Sequence, residues 1–144
     1  MTKNEIFGLM NGVMSFHLAT LEDGEPRVRG MLLYKADETG VVFHTGVFKD
    51  LYKQLLANPA AQMCFFDPAS GTQVRVRGQF EEVADAKLKE EIYNHPSREF
   101  LRNMCGNSME SPFYETIRVF RMKNGIANVW TFAANCAAKE DIYL

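Results

Sequence analysis

Thr72-Gln73-Val74-Arg75-Val76-Arg77-Gly78-Gln79-Phe80-Glu81 alternates along its length, with Val74, Val76 and Phe80 on one face and Gln73, Arg75, Arg77 and Gln79 on the other. Successive strand side chains point to opposite faces, so the pattern predicts an antiparallel strand with one buried and one polar side. Just upstream, Pro68-Ala69-Ser70-Gly71 is a turn signal that joins it to a second strand at 62–67. Before that the period lengthens. Leu51, Tyr52, Leu55 and Leu56 recur at helical spacing, and Asn58-Pro59 ends the helix because the residue before proline is pushed out of the α region. Val41 to Thr45 is β-branched and aromatic and predicts another strand. Strands at 27–34 and 14–21 precede it, with turns at Asp37-Glu38-Thr39-Gly40 and Glu22-Asp23-Gly24-Glu25-Pro26. Thr2-Lys3-Asn4-Glu5 starts a helix whose apolar stripe is Ile6, Leu9, Met10 and Val13.

Downstream, Ala84 to Asn94 reads as a helix with Leu88 and Ile92 inward, stopped by His95-Pro96. A short helix from Ser97 to Met104 follows. Strands at Glu115–Met122 and Ile126–Phe132 are joined by the tight-turn signal Lys123-Asn124-Gly125. Hairpin-like spacing with few helices predicts a mainly β fold, an antiparallel barrel with peripheral helices over its openings. The long parallel βαβ series of a Rossmann domain is missing.

The 144 residues, 47% apolar and 24% charged, show no repeat or linker and are expected to form one domain, 1–144. A net charge of −2 argues against nucleic acid or an anionic membrane as the main partner. No apolar run approaches the ~18 residues of a membrane span. The first residues include an acid and lead into no long apolar run, so no signal peptide is expected. Cys64, Cys105 and Cys136 are odd in number and far apart, which predicts reduced thiols and a cytoplasmic location. His17, His44 and His95 are scattered, so no metal site is expected. There is neither a Walker A sequence nor a Gly-x-Gly-x-x-Gly turn, and no serine sits in a nucleophile elbow. Cys64, within Met63-Cys64-Phe65-Phe66, reads as a buried, inert thiol, and Trp130 as core or subunit interface.

Four segments carry the chemistry: Gly24-Glu25-Pro26-Arg27-Val28-Arg29-Gly30-Met31-Leu32-Leu33; Phe43-His44-Thr45; Lys49-Asp50-Leu51-Tyr52-Lys53 through Asn58-Pro59; and Thr72-Gln73-Val74-Arg75-Val76-Arg77-Gly78. In this order and at these separations they resemble the pyridoxamine 5′-phosphate oxidase-like FMN-binding split barrels, over roughly residues 14–93. The resemblance implies a split, antiparallel β-barrel of about six strands plus helices, bound FMN, and a homodimer with the cofactor at the interface.

The charge pattern can be read independently of the family. A phosphate dianion needs cations and donors, and a helix N-terminus adds favourable partial charge. Lys49 stands just before the predicted helix and Lys53 one turn on, while Arg27 and Arg29 share a strand face. Taken singly, each of these residues reads as a solvated surface charge. The resemblance makes Arg29 the phosphate ligand with Lys49 as partner. It sets Gly30 and Met31 against the flavin ring edge, has His44 and Thr45 line the flavin, and makes Gln73 a donor from the dimer mate. Departures matter too. Tyr34 stands where the true oxidase has lysine, Lys49-Asp50 replaces its Ser-Arg-Lys segment, and its C-terminal arginine-rich segment has no counterpart. Pyridoxamine phosphate is therefore not the expected substrate. The expected activity is flavin-dependent oxidoreduction of a small molecule. The alternative is a non-catalytic carrier of flavin, haem or the deazaflavin F420. The segment 98–112 is a candidate lid.

Overall fold

The computed structural model describes residues 1–105 and 113–144. The chain opens with α1, Lys3–Val13, whose N-cap Thr2 and Glu5 form a reciprocal capping box. The strands β1 (Ser15–Glu22), β2 (Glu25–Asp37) and β3 (Gly40–Gly46) follow as two hairpins. Next come α2 (Asp50–Ala57), β4 (Ala60–Asp67) and β5 (Thr72–Glu82). A helical stretch holds α3 (Ala86–Asn94), the 3₁₀ turn Pro96–Arg98, α4 (Glu99–Cys105) and α5 (Phe113–Thr116). The last strands are β6 (Ile117–Met122), β7 (Ile126–Trp130) and β8 (Ile142–Tyr143).

The sheet runs β4-β1-β2-β3-β6-β5 and closes through β4–β5, so six antiparallel strands form the barrel. The β7–β8 pair extends it from β5. This is the split-barrel architecture that the family resemblance implied; β8 is a strand the sequence reading did not expect. The alternation of β5 is as expected: Val74, Val76 and Phe80 are buried while Arg77 and Gln79 are exposed.

Boundaries differ where turns are tighter than composition suggested. Asp23 and Gly24 both adopt positive φ (52° and 79°), giving a two-residue hairpin loop of the kind that matches strand twist. Strand pairing therefore runs through Pro26 to Glu25, which stands opposite Glu22. β2 also runs on to Asp37 through an irregularity between Leu33 and Lys35. The expected helix from Ser97 is divided into the 3₁₀ turn and α4, and α5 occupies the start of the strand expected at Glu115.

The barrel interior is aromatic and aliphatic. Phe16 stacks on Phe65 at 4.9 Å between ring centroids, and Phe43 meets Phe80 edge-on at 4.8 Å. β3 is buried on both sides. Phe43 faces the barrel, while Val42 packs with Leu88, Ile92 and Leu101 under the helical stretch. That double burial sets the next two residues, His44 and Thr45, between the barrel and its helical cover.

Candidate functional site

One large cavity, about 1170 Å³, opens where β1, the middle of β2, the end of β3 and β4 meet α1, the start of α2 and α4. Leu9 and Val13 of α1 and Phe100 and Met104 of α4 supply apolar walls. Polar groups enter from the strand ends and the β3–α2 connection: Ser15, His17, His44, Thr45, Lys49 and Asp67. A few polar groups converging on an apolar pocket is the usual make-up of a small-ligand site.

Five of the eight residues expected from sequence meet at this cavity: Gly30, Met31, His44, Thr45 and Lys49. Thr45 is 5% exposed and its Oγ1 has no hydrogen-bond partner among the described residues. Buried hydroxyls are nearly always paired, so this oxygen is the unusual polar atom of the cavity wall. Lys49 is the N-cap residue of α2 and caps it with backbone only, leaving the helix start without a side-chain acceptor. Asp50, in the first turn, complements the helix dipole in part.

The other three lie off the cavity wall. Arg29 points inward from β2, half-buried. Its Nη1 donates to Thr20 Oγ1 at 2.7 Å and to the Leu18 carbonyl at 3.2 Å, and its Nη2 donates to Gln54 Oε1 at 2.5 Å. Thr20 in turn donates to Gln54 at 2.7 Å, so Arg29 ties two strands to the buried face of α2. Burial lowers the Arg29 pKa from its ordinary value, and the charges of Glu22 and Asp50 act the other way. Its contact with α2 is therefore Gln54, beyond the helix start that Lys49 caps. Lys53 is exposed on α2. Gln73 lies on the outer side of β5, paired in register with Phe66 and Trp130.

His44 has a neighbour that sequence reading missed. Arg98, in the 3₁₀ turn, is fully buried, and its Nε–H donates to His44 Nε2 at 3.0 Å. Burial, then the charges of Arg98 and Lys49, push the His44 pKa down to about 4. The imidazole is neutral at physiological pH. Only the stop signal His95-Pro96 announced a turn here, and nothing local linked Arg98 to a strand 54 residues away.

Two further readings change. Cys64 is not a core thiol: it alternates with buried Met63 and Phe65, faces outward half-buried, and lines the cavity. Burial raises its pKa, with Arg75 opposing. The candidate lid 98–112 is described only to residue 105. Its first part, α4, supplies cavity wall, and 106–112 lie outside the described residues.

Similarities to known proteins agree with this geometry. The family model described as pyridoxamine 5′-phosphate oxidase matches residues 3–123. The pyridoxine/pyridoxamine 5′-phosphate oxidase of Brucella ovis is 41% identical over 80 residues, 55% of this chain and 38% of that protein. The chain thus spans well under half the length of that curated relative. Among solved structures, a nimc/nima family protein from Clostridium acetobutylicum superposes with a TM-score of 0.78 at 20% identity, covering 98% of this chain and 92% of that one. A pyridoxamine 5′-phosphate oxidase-related, FMN binding protein from Nostoc punctiforme gives 0.64 at 13% identity, covering 99% and 96%. A heme binding protein from Mycobacterium smegmatis gives 0.65 at 14%, covering 94% and 55%. At such identities these structures speak for the fold alone. With the family model matching most of the residues that build the barrel and its cavity, the chain belongs to the pyridoxamine 5′-phosphate oxidase family.

Proposed function

We propose that the cavity binds FMN and that the protein is a flavin-dependent oxidoreductase acting on a small molecule. The observation that carries this reading is Thr45 Oγ1, a buried hydroxyl without a protein partner, in the same cavity as the Lys49 ammonium. A planar ring rich in acceptors satisfies the first, and a terminal phosphate satisfies the second. Lys49 and the open first turn of α2 would hold the phosphate, while Arg29, bonded to Thr20 and Gln54, would brace α2 against the strands. Gly30 and Met31 would present backbone to the ring, and His44 and Thr45 would line it.

Bound flavin would supply hydride chemistry at its ring. The chain's own part is different. Neutral His44 and the Thr45 hydroxyl would offer hydrogen bonds without competing for a proton, and the walls of α1 and α4 would exclude water. The cavity exceeds the ~300–1,000 Å³ typical of single-ligand pockets, which leaves room for a substrate beside the cofactor. No described helix is long and apolar enough to cross a membrane.

A homodimer completes the proposal. The outer face of β1, β2, β4 and β5 exposes Leu21 (39%), Val28 (65%), Leu32 (37%) and Phe66 (51%), an apolar patch of the sort that marks interfaces. Gln73 sits on that face beside Phe66, where an isologous pairing would carry it toward the partner's cavity. Cys64 and Cys136 are free thiols, which suits a reducing, cytoplasmic setting.

The test is direct. The purified protein is examined for a flavin spectrum, then titrated separately with FMN, haem and F420, and the FMN form is challenged with NAD(P)H. Saturable FMN binding with reduction supports the proposal. Preference for haem or F420, or no uptake of any of the three, overturns the cofactor assignment.

A further inference from the structure

His44 has two ring nitrogens, and the structure assigns each a role. Arg98 Nε–H can only donate, so His44 Nε2 must present its lone pair to it. A neutral imidazole bonded this way carries its proton on Nδ1. Among the described residues none takes a bond from Nδ1, while His44 lines the cavity.

Arg98 is held in turn. Its Nη2 donates to the Leu33 carbonyl, and its Nη1 donates to Ser97 Oγ at 3.0 Å. Its guanidinium lies over the Tyr34 ring at 5.5 Å, and Tyr34 donates to Glu91 at 2.6 Å. No carboxylate ion-pairs with Arg98 among the described residues, so its charge is spent on carbonyl, hydroxyl, ring face and imidazole.

We propose that Arg98 is a positioning residue: it locks His44 as a neutral imidazole that donates from Nδ1 into the cavity and cannot accept there. The site therefore selects, at this spot, a ligand oxygen or nitrogen bearing a lone pair and rejects an N–H or O–H donor. That selectivity deepens the flavin reading and rests on it for the ligand's identity, whereas the state of His44 does not. The groups that act on His44 are Arg98 from the 3₁₀ turn and Lys49 from the start of α2; Phe100 of α4 packs nearby at 6.5 Å between centroids. Both charged neighbours are cations, and both oppose imidazolium formation.

The experiment is long-range ¹H–¹⁵N NMR of the histidine rings in the full chain without added cofactor, from pH 8 to pH 5. His44 is assigned from the signal lost in His44→Gln. Wild type is expected to show the Nδ1–H tautomer throughout, with no titration in that range. In Arg98→Gln the ring should populate both tautomers, and its pKa should rise toward the ordinary 6.5 while burial and Lys49 still hold it below. Arg98→Lys keeps the charge without the planar fork, so it should keep the low pKa and lose the fixed tautomer. An Nε2–H tautomer in wild type, or titration near 6.5, overturns the proposal even if no variant folds. The spectra decide it without FMN, so failure of flavin binding is seen separately by titration of the same samples.

Discussion

Replacing Thr45 with valine should stabilise the free protein and weaken its FMN complex, two effects of opposite sign from one atom. Thr45 is 5% exposed and its Oγ1 has no partner among the described residues. Leaving a buried polar group unpaired costs ~1–3 kcal/mol, so a methyl in its place recovers part of that. Both residues are β-branched and suit β3, which keeps backbone propensity nearly constant. At the lower end of that range, about 1 kcal/mol of stabilisation is expected, or a rise in Tm of about 3 °C for a chain of this size. In the complex the same hydroxyl gains a partner. Losing that bond removes ~0.5–1.5 kcal/mol of affinity, a Kd increase of roughly 2- to 12-fold. Chemical denaturation of the ligand-free protein and calorimetric FMN titration read the two effects. A destabilised Thr45→Val protein would mean the hydroxyl is already satisfied, and an unchanged Kd would mean no ligand atom meets it; either result refutes the reasoning.

Lys49→Ala should weaken FMN binding by ~10- to 100-fold, the loss of a charge-assisted bond, whereas Lys53→Ala should change it less than about 3-fold; fluorescence titration compares them. His44 adds a pH dependence whose sign follows from its depressed pKa. The unfolded chain binds a proton near pH 6.5 that the folded chain refuses until about pH 4, so this stability is full above pH 6.5 and is lost as pH falls toward 4. It amounts to about 3 kcal/mol, and urea melts between pH 8 and pH 4.5 should show a steeper loss in wild type than in His44→Gln. Val28→Glu or Phe66→Glu should convert a dimer, at twice the 16.4 kDa chain mass, into monomer by light scattering. A wild-type protein that runs as monomer removes the basis of that prediction.

Local periodicity carried most of the fold. The alternation of Val74, Val76 and Phe80 is a period-two signal that burial later matched, and Leu88 and Ile92 are buried as the helical spacing required. Closure was beyond it. The pairings of β3 with β6 and of β4 with β1 join residues far apart in sequence, and only tertiary packing selects them. The site divides along the same line. Gly30 and Met31 from the middle of β2, His44 and Thr45 from the end of β3, and Lys49 at the start of α2 line one cavity. Arg29 and Arg27 share a strand face in sequence, yet Arg27 is exposed and bridges Glu22 and Glu25 while Arg29 turns into the network of Thr20 and Gln54. Alternation tells the face, not the depth along the barrel. Arg98 was hidden for the related reason that its partners, Leu33 and His44, lie 65 and 54 residues away.

The most direct measurement is a paired calorimetric titration with FMN and riboflavin, which differ only in the phosphate. The account predicts that FMN binds at about one equivalent per chain and at least ~10-fold more tightly than riboflavin, with the gap closing in Lys49→Ala. Equal affinities in wild type, or a preference for FMN undiminished in Lys49→Ala, would contradict it.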